Sequence, residues 1–310
     1  MNYRVLGRTG LNIIEFSLGT VELGLDYGIP DGRHMQPSAA DASTLLNHAL
    51  NQGINLIETA RTYGSAEYVI GNAISKRRSE YYLCSKVPVS ALETHGPLLE
   101  KYIYNSVRES LRALQTDYLD ILLLHNATVF DLRNAQLMDA LGKMLDLDLV
   151  HFIGVSVYDV ETANLAIAQG ICDIIEIPYN VLDRKWESST LSLARQYNIG
   201  VIARSVLLRG LLAKPTPDFP VEMSRLKYAL MNVANLSDGT GTRVVNLAYQ
   251  YVLRNASVSS ALIGTAYIDE LDMILKDTPN DAIRADILTS LQCISVPDAL
   301  LDPRQWPRGV

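Results

Sequence analysis

The strongest constraint on the fold is a regular alternation of short apolar runs with amphipathic segments. Strand-like apolar runs recur near residues 14–19, 54–58, 81–87, 118–124, 150–155, 172–178, 199–203 and 260–264. Apolar residues spaced three and four apart predict helices at about 39–52, 66–77, 97–114, 134–147, 159–169, 185–197 and 240–254, with another after 268. The longest stretch left irregular is about 207–239, which is rich in proline.

The continuously apolar strands belong to a parallel sheet that is buried on both faces. Eight strand–helix units predict a closed α/β barrel, the (β/α)8 TIM barrel, as one domain over residues 1–310. A doubly wound open sheet is the alternative, but no Gly-x-Gly-x-x-Gly turn follows any strand. Residues 3–6 and 12–15 flank a turn at Arg8-Thr9-Gly10, which predicts a β-hairpin ahead of the barrel.

Composition and charge disfavour several functions. The chain has 310 residues and a net charge of −7, which disfavours nucleic acid or an anionic membrane as the main partner. No apolar run approaches the roughly 20 residues that span a bilayer, and the start lacks the apolar stretch of a signal peptide. Cys84, Cys172 and Cys293 are widely spaced, which predicts a reduced cytoplasmic protein. The His spacing predicts no metal site, and nothing indicates an oligomeric state.

Side chains suited to proton transfer follow the ends of successive predicted strands. Glu58, Lys86 and His125 end three of these runs, and Tyr63 follows Glu58 after a short polar loop. Because the carboxyl ends of barrel strands share one rim, we expect the four side chains to lie together. A protonated phenol can donate to a carbonyl oxygen, so Tyr63 is the predicted acid. We expect Lys86 to lower its pKa, Glu58 to hold Lys86, and His125 to orient the carbonyl.

The same segments resemble a known enzyme family. Residues 53–67, 81–86 and 122–126 look like three successive landmarks of the aldo-keto reductases, and residues 7–11 resemble their opening hairpin. The resemblance implies a TIM barrel with NADP(H) or NAD(H) lying extended across the rim. It also implies hydride transfer between a small carbonyl compound and its alcohol. Residues 18–29 are similar to a bacterial branch associated with polysaccharide or secondary-metabolite pathways.

The resemblance also implies a cofactor groove along the ends of the last strands. Its predicted lining is Ser156, Glu176, Arg204, Ser205, Leu207, Gly210, Gly264 and Thr265. Several positions depart from the family, which usually has Asp at Glu58, Asn at Val157 and Gln at Glu176. Many members also have a Tyr at Arg204. Arg204 would either stack on the nicotinamide or form an ion pair with Glu176 that fills the same space.

The predicted adenosine end of the groove also departs from the family. A basic residue usually follows Gly264 when a 2′-phosphate is held, but no Lys or Arg lies between Gly264 and Leu275, where three residues are acidic. Met273 and Ile274 match the polar pair that usually meets the adenine. NAD(H) is therefore an alternative to NADP(H), and a degraded cofactor site is a second alternative.

Three functions are compatible with this sequence. The leading one is a nicotinamide-dependent oxidoreductase that acts on a small carbonyl or alcohol derived from a sugar or a secondary metabolite. The second is a cofactor-independent lyase, dehydratase or isomerase that uses Tyr63, Lys86 and His125 for proton chemistry. The third is a regulatory protein that keeps the barrel and binds a nucleotide without turnover.

Overall fold

A closed barrel of parallel strands forms the centre of the protein. The computed structural model describes residues 2–28, 36–89, 97–213, 219–278 and 282–307. Its strands are β1 (Tyr3–Val5), β2 (Asn12–Ile14), β3 (Phe16–Gly19), β4 (Leu56–Glu58), β5 (Tyr82–Pro88), β6 (Leu119–His125), β7 (Val150–Ser156), β8 (Ile174–Pro178), β9 (Gly200–Arg204) and β10 (Ser260–Gly264). In these residues, β3 to β10 pair in sequence order and β10 closes onto β3. The predicted (β/α)8 barrel is confirmed.

Helices pack around the barrel and connect its strands. They are α1 (Val21–Gly24), α2 (Ala39–Asn51), α3 (Ala66–Ile74), α4 (Pro97–Leu114), α5 (Val129–Leu132), α6 (Ala135–Asp146), α7 (Val160–Ala168), α8 (Thr190–Gln196), α9 (Ser224–Asp238), α10 (Val244–Leu253), α11 (Ile268–Asp277), α12 (Ala285–Cys293) and α13 (Asp298–Leu301). Side-chain caps fix several starts, for example Ser38 before α2 and Asp159 before α7. Over the described ranges, no helix has the length and apolar character needed to cross a bilayer.

The prediction of an irregular segment at 207–239 is wrong for its second half. Helix α9 occupies Ser224–Asp238 and buries one face, made of Leu226, Ala229, Leu230 and Val233. The prolines of this segment all precede the helix, and Pro220 is the last of them. Tyr228 and Met231 are exposed on the other side of the helix. Because apolar side chains occupy both faces, they blur the three- and four-residue spacing that identifies a helix.

The predicted N-terminal hairpin is present, and it closes the amino-terminal end of the barrel. Strands β1 and β2 pair antiparallel. Leu6 and Ile13, both fully buried, pack into a cluster with inward-facing side chains of the barrel: Leu56, Cys84, Ile121, Leu123, Ile174, Ile202 and Leu262. Leu6 also lies against Gly200, where an added Cβ would come within 2.7 Å of the Leu6 side chain. The hairpin therefore forms the floor, and the opposite rim is left for chemistry.

We expect Leu6→Ala to lower the free energy of unfolding by about 2–5 kcal/mol, because it leaves a cavity in this floor. Val5→Ala is the matched control, since Val5 belongs to the same hairpin but is 58% exposed. Its effect should stay within about 0.5 kcal/mol. Urea denaturation of both variants measures the difference. Equally small effects would show that the hairpin contributes little to closing the barrel.

Candidate active site

The structure brings Glu58, Tyr63, Lys86 and His125 together at the carboxyl end of the barrel. Glu58 and His125 end β4 and β6, and Lys86 lies two residues before the end of β5. Tyr63 lies in the turn between β4 and α3. Gly24 packs directly on the backbone of this turn, and a side chain at Gly24 would overlap the Tyr63 carbonyl. This close approach fixes the position of the turn above the strands.

Lys86 is the centre of the cluster. Its side chain is fully buried and forms an ion pair with Glu58. Its ammonium donates to Tyr63 Oη at 3.1 Å and to the Thr59 carbonyl at 3.4 Å. The Thr20 hydroxyl donates to the Glu58 carbonyl at 2.9 Å, which ties the end of β4 to the end of β3. Two strands and a turn therefore hold one ammonium against one phenol.

Burial sets the protonation of this cluster. Burial raises the pKa of Tyr63 well above its ordinary value of 10.0, and Glu176 raises it further, whereas Arg204 opposes the shift. The expected net lowering of this pKa is therefore wrong, because burial and Glu176 outweigh the nearby positive charge. Burial also lowers the pKa of Lys86 to about 8, and Glu176 opposes that shift. At neutral pH the phenol keeps its proton and the amine is mostly charged.

His125 faces the same opening. Its ring meets the Tyr63 ring edge to face, with 5.8 Å between centroids and an interplanar angle of 86°. Its Nδ1 lies 3.1 Å from Thr62 Oγ1. Burial, together with the positive charges of Lys86 and Arg204, lowers the pKa of His125 to about 3. A neutral imidazole can donate one hydrogen bond and accept another, so the ring can orient a carbonyl without adding charge.

We expect the imidazole of His125 to stay neutral from about pH 5 to about pH 8, the range in which a histidine ordinarily titrates. Its lowered pKa places protonation below that range. Nitrogen NMR of the ring measures this directly, and the signal that disappears in His125→Asn identifies the residue. A titration midpoint near neutrality for that signal would contradict this picture of the site.

A second buried network lies beside Lys86. Ser156 Oγ donates to Glu176 Oε1 at 2.7 Å, and Arg204 Nε lies 3.5 Å from the same oxygen. The other Glu176 oxygen lies 3.6 Å from Lys86 Nζ. Arg204 also donates to the Val157 carbonyl at 3.2 Å. Arg204 therefore forms an ion pair with Glu176.

A groove of about 480 Å³ leads away from the cluster along the rim. Tyr63, His125 and Glu58 line one end. Five of the predicted cofactor residues also line it: Arg204, Ser205, Leu207, Gly210 and Gly264. The other three, Ser156, Glu176 and Thr265, are buried beneath it and not in its lining. Their side chains are taken up by hydrogen bonds, since Ser156 binds Glu176 and Thr265 Oγ1 donates to Glu270 at 2.5 Å.

The sequence analysis missed Tyr158 and Arg304, which both line the groove. The Tyr158 ring lies between two guanidinium groups, 4.0 Å from Arg204 and 3.4 Å from Arg304, measured to the ring centroid. Tyr158 lies two residues after the end of β7, so its position at the rim was a usable signal. Arg304 lies in the C-terminal tail, and no local pattern indicates that the tail returns to the rim.

The groove has the volume of a ligand site and an arginine suited to an anionic group. Its volume lies within the usual range for ligand sites. Arg209 lines it, and Arg209 Nε is buried without a hydrogen-bond partner among the described residues. The loop after β9 has positive φ at Ser205, Leu208, Arg209 and Gly210. A strained loop that presents an unsatisfied guanidinium nitrogen suits an anionic group such as a pyrophosphate.

Comparisons with known proteins identify the family of the chain and its relatives. The sequence model of the aldo/keto reductase family matches residues 15–280. The aldo-keto reductase YhdN of Bacillus subtilis is 29% identical, over 94% of this chain and 94% of that protein. L-galactose dehydrogenase of Arabidopsis thaliana is 28% identical, over 99% and 97%. Among solved structures, the holo form of aldo-keto reductase AKR11C1 from Bacillus halodurans has a TM-score of 0.79 at 24% identity, over 96% of this chain and 97% of that chain.

Proposed function

The chain belongs to the aldo/keto reductase family of NAD(P)-dependent oxidoreductases, and we propose that it interconverts a small carbonyl compound and its alcohol with Tyr63 as the general acid. The single observation that carries this proposal is the 3.1 Å contact between the buried Lys86 ammonium and the phenol at the groove mouth. The substrate class is a carbonyl derived from a sugar or a secondary metabolite. Residues 1–310 act as one domain.

Tyr63 supplies the proton of the reduction. The nicotinamide, when bound, supplies the hydride to the carbonyl carbon. As charge develops on the carbonyl oxygen, Tyr63 Oη donates its proton to that oxygen and becomes a phenolate. The Lys86 ammonium then stabilises the phenolate. In the reverse direction the phenolate takes the proton back from the alcohol.

His125, Glu58 and Glu176 position these groups. The neutral imidazole of His125 donates a hydrogen bond to the carbonyl oxygen and aims it at Tyr63. Glu58 pairs with Lys86 directly, and Glu176 lies 3.6 Å away on the other side. Two carboxylates hold one ammonium in place, so it cannot rotate away from the phenol. This arrangement offsets the extra methylene of Glu58 relative to the family's Asp.

The groove residues hold the cofactor in this proposal. Arg204, Ser205, Leu207, Gly210 and Gly264 would hold it from the lining, and Arg209 would supply a positive charge for its pyrophosphate. The buried Ser156, Glu176 and Thr265 support that lining from below. An aldo/keto reductase from Klebsiella pneumoniae, solved in complex with NADP and acetate, shares the fold with a TM-score of 0.72 at 23% identity, over 96% of this chain and 97% of that chain. Its bound NADP supports a nicotinamide dinucleotide here.

The state of the cysteines supports a location in a reducing compartment, the cytoplasm. Cys84, Cys172 and Cys293 are all unpaired. Burial raises the pKa of Cys172 to about 12 and that of Cys84 well above 9.0. Both thiols are therefore unreactive. The binding partner in this proposal is the small carbonyl or alcohol substrate.

A cofactor-independent lyase, dehydratase or isomerase is the second candidate. The observation that favours it is that Ser156, Glu176 and Arg204 bond to one another. In the family, the residues at these positions contact the nicotinamide. The proton-transfer groups Tyr63 and Lys86 would then act alone on a carbonyl compound.

A turnover assay separates the two candidates. Purified protein is incubated with NADH or NADPH and a panel of small aldehydes, ketones and sugar-derived carbonyls, and both cofactor and carbonyl are quantified. The oxidoreductase proposal predicts cofactor oxidation that requires the carbonyl and matches it mole for mole. Conversion of a carbonyl with no change in the cofactor would contradict it and support the second candidate.

A further inference from the structure

One arginine in the loop after β8 binds the backbone that leads into the C-terminal tail. Arg184 Nη1 donates to the Leu291 carbonyl at 2.9 Å. Its Nη2 donates to the Gln292 and Ile294 carbonyls at 3.0 and 2.7 Å. These carbonyls lie in the last turn of α12 and just after it, where a helix leaves its carbonyls without partners and favours a positive charge. Arg184 therefore fixes the point from which the tail departs.

The loop that carries Arg184 is itself fixed to the groove. Arg184 Nη1 also donates to the Val181 carbonyl at 2.7 Å, which holds the guanidinium against its own loop. Asn180, fully buried in this loop, accepts hydrogen bonds from two backbone N–H groups of the loop, both at 2.9 Å. Its amide nitrogen donates at 3.0 Å to the carbonyl of Ser205, which lines the groove. The anchor of the tail is thus bonded to the groove wall.

From this anchor the tail returns to the rim. Asp302 accepts hydrogen bonds from the backbone amide of Arg304 at 3.0 Å and from its Nη2 at 2.7 Å. The Arg304 guanidinium lies 3.4 Å from the centroid of the Tyr158 ring, and both residues line the groove. Trp306 is buried, and its indole nitrogen donates to the Leu300 carbonyl at 3.0 Å. The tail therefore contributes an ordered part of the groove wall.

This part of the wall adjoins the catalytic cluster. The Tyr158 ring centroid lies 4.0 Å from the Arg204 guanidinium. Arg204 Nε lies 3.5 Å from Glu176, and the other oxygen of that carboxylate lies 3.6 Å from Lys86 Nζ. A continuous series of contacts therefore connects the tail with the ammonium that faces Tyr63.

We propose that Arg304 binds an oxygen atom of the carbonyl compound and that Arg184 is the positioning residue that holds Arg304 in place. A compound whose carbonyl lies at Tyr63 extends into the groove that the tail bounds. Arg304 binds Asp302 through Nε and Nη2, and no described residue accepts from its Nη1. The preferred substrates are therefore carbonyl compounds with a further oxygen acceptor, a hydroxyl or a carboxylate. This inference rests on the proposed function, because it concerns the substrate of the same site.

Paired aldehydes of equal carbon number test the role of Arg304. At saturating cofactor, glyceraldehyde is compared with propanal, and succinic semialdehyde with butanal. We expect kcat/KM to be at least about tenfold higher for the oxygen-bearing member of a pair, because a charged donor serves only that member. The pair with the larger ratio identifies a hydroxyl or a carboxylate as the acceptor. Equal values of kcat/KM within both pairs would overturn the inference and leave the oxidoreductase intact. No turnover of any aldehyde would overturn the proposed function and this inference with it.

Arg304→Ala assigns the preference to one side chain. It should raise the KM of the oxygen-bearing aldehyde about tenfold and that of the plain aldehyde by less than about twofold. Arg284→Ala is the matched control, since Arg284 also pairs with an aspartate two residues away, Asp286, but lies outside the groove lining. It should change neither KM. Equal effects of Arg304→Ala on both members of a pair, or no effect, would overturn the role of Arg304.

Arg184→Met tests the anchor. It should speed hydrogen exchange of residues 298–307 and reproduce the selective rise in KM, with kcat for the plain aldehyde within about threefold. Combined with Arg304→Ala it should raise KM no further, because both changes remove the same contact. Arg184→Lys is the milder variant, which keeps the charge but not the planar fork that reaches several carbonyls. Arg195→Met, an exposed position on α8, is the control and should change neither quantity. Unchanged exchange in Arg184→Met and Arg184→Lys, or faster exchange with an unchanged KM, would overturn the role of Arg184.

Discussion

Tyr63→Phe lowers kcat by about 10²–10⁴-fold and leaves cofactor affinity within about twofold, because it removes only the acid. The phenyl ring keeps its edge-to-face contact with His125. Lys86 loses one acceptor but keeps Glu58 and the Thr59 carbonyl. The site therefore stays assembled, and only the proton is missing. Steady-state rates with the preferred cofactor, together with cofactor titration, measure both quantities.

Tyr68→Phe is the matched control for this substitution. Tyr68 lies on α3, just beyond the turn that carries Tyr63, but it is 64% exposed and does not line the groove. Removing the hydroxyl of Tyr68 should leave kcat unchanged. Near wild-type activity in Tyr63→Phe would remove the phenol from the mechanism. A similar loss in both variants would point to the fold of this region and not to the acid.

Lys86→Met lowers the free energy of unfolding by about 3–5 kcal/mol, the typical cost of removing one partner from a buried ion pair. The reason is that Glu58 and Glu176, 2% and 0% exposed, would face each other without the ammonium that separates them. Activity should also be lost, since the phenolate has no charge to stabilise it. Chemical denaturation and the turnover assay measure the two effects.

Lys143→Met is the control that shows whether the loss of unfolding free energy arises because the ion pair is buried. Lys143 also pairs with a glutamate, Glu100, but both side chains are about half exposed, and such pairs contribute about 1 kcal/mol or less. Adding Glu58→Gln to Lys86→Met should restore part of the stability, because it removes one stranded charge, but none of the activity. Equal losses in Lys86→Met and Lys143→Met would show that the buried pair contributes no more than a surface pair.

The barrel and the catalytic rim follow from local patterns in the sequence. Buried parallel strands are continuously apolar, so β5 to β8 stand out from the amphipathic helices between them. Once the strands are placed, a closed barrel brings their ends to one rim. Glu58, Lys86 and His125 could therefore be expected to meet, although they are far apart in the chain. The N-terminal hairpin was also predicted from a local pattern around a turn, but its position as the floor of the barrel was not.

Features that depend on tertiary contacts could not be predicted. Helix α9 was hidden because apolar side chains occur on both of its faces. The stack of Tyr158 and Arg304 requires the tail to reach the rim. The net pKa shift of Tyr63 depends on how deeply the phenol is buried and on how Glu176 is oriented. The stack and the pKa shift depend on contacts between segments that are distant in the chain, whereas the helix was missed because its own apolar pattern is irregular.

The central claim is that a hydride enters the carbonyl at this rim while Tyr63 protonates its oxygen. Isotope tracing tests it most directly: the reaction is run with nicotinamide cofactor deuterated at the transferred position, and in parallel with unlabelled cofactor in heavy water, and the alcohol is analysed by mass spectrometry. The account predicts one deuterium on the carbinol carbon in the first experiment and none on carbon in the second. Deuterium taken up from the solvent onto carbon, with no transfer from the cofactor, would contradict it.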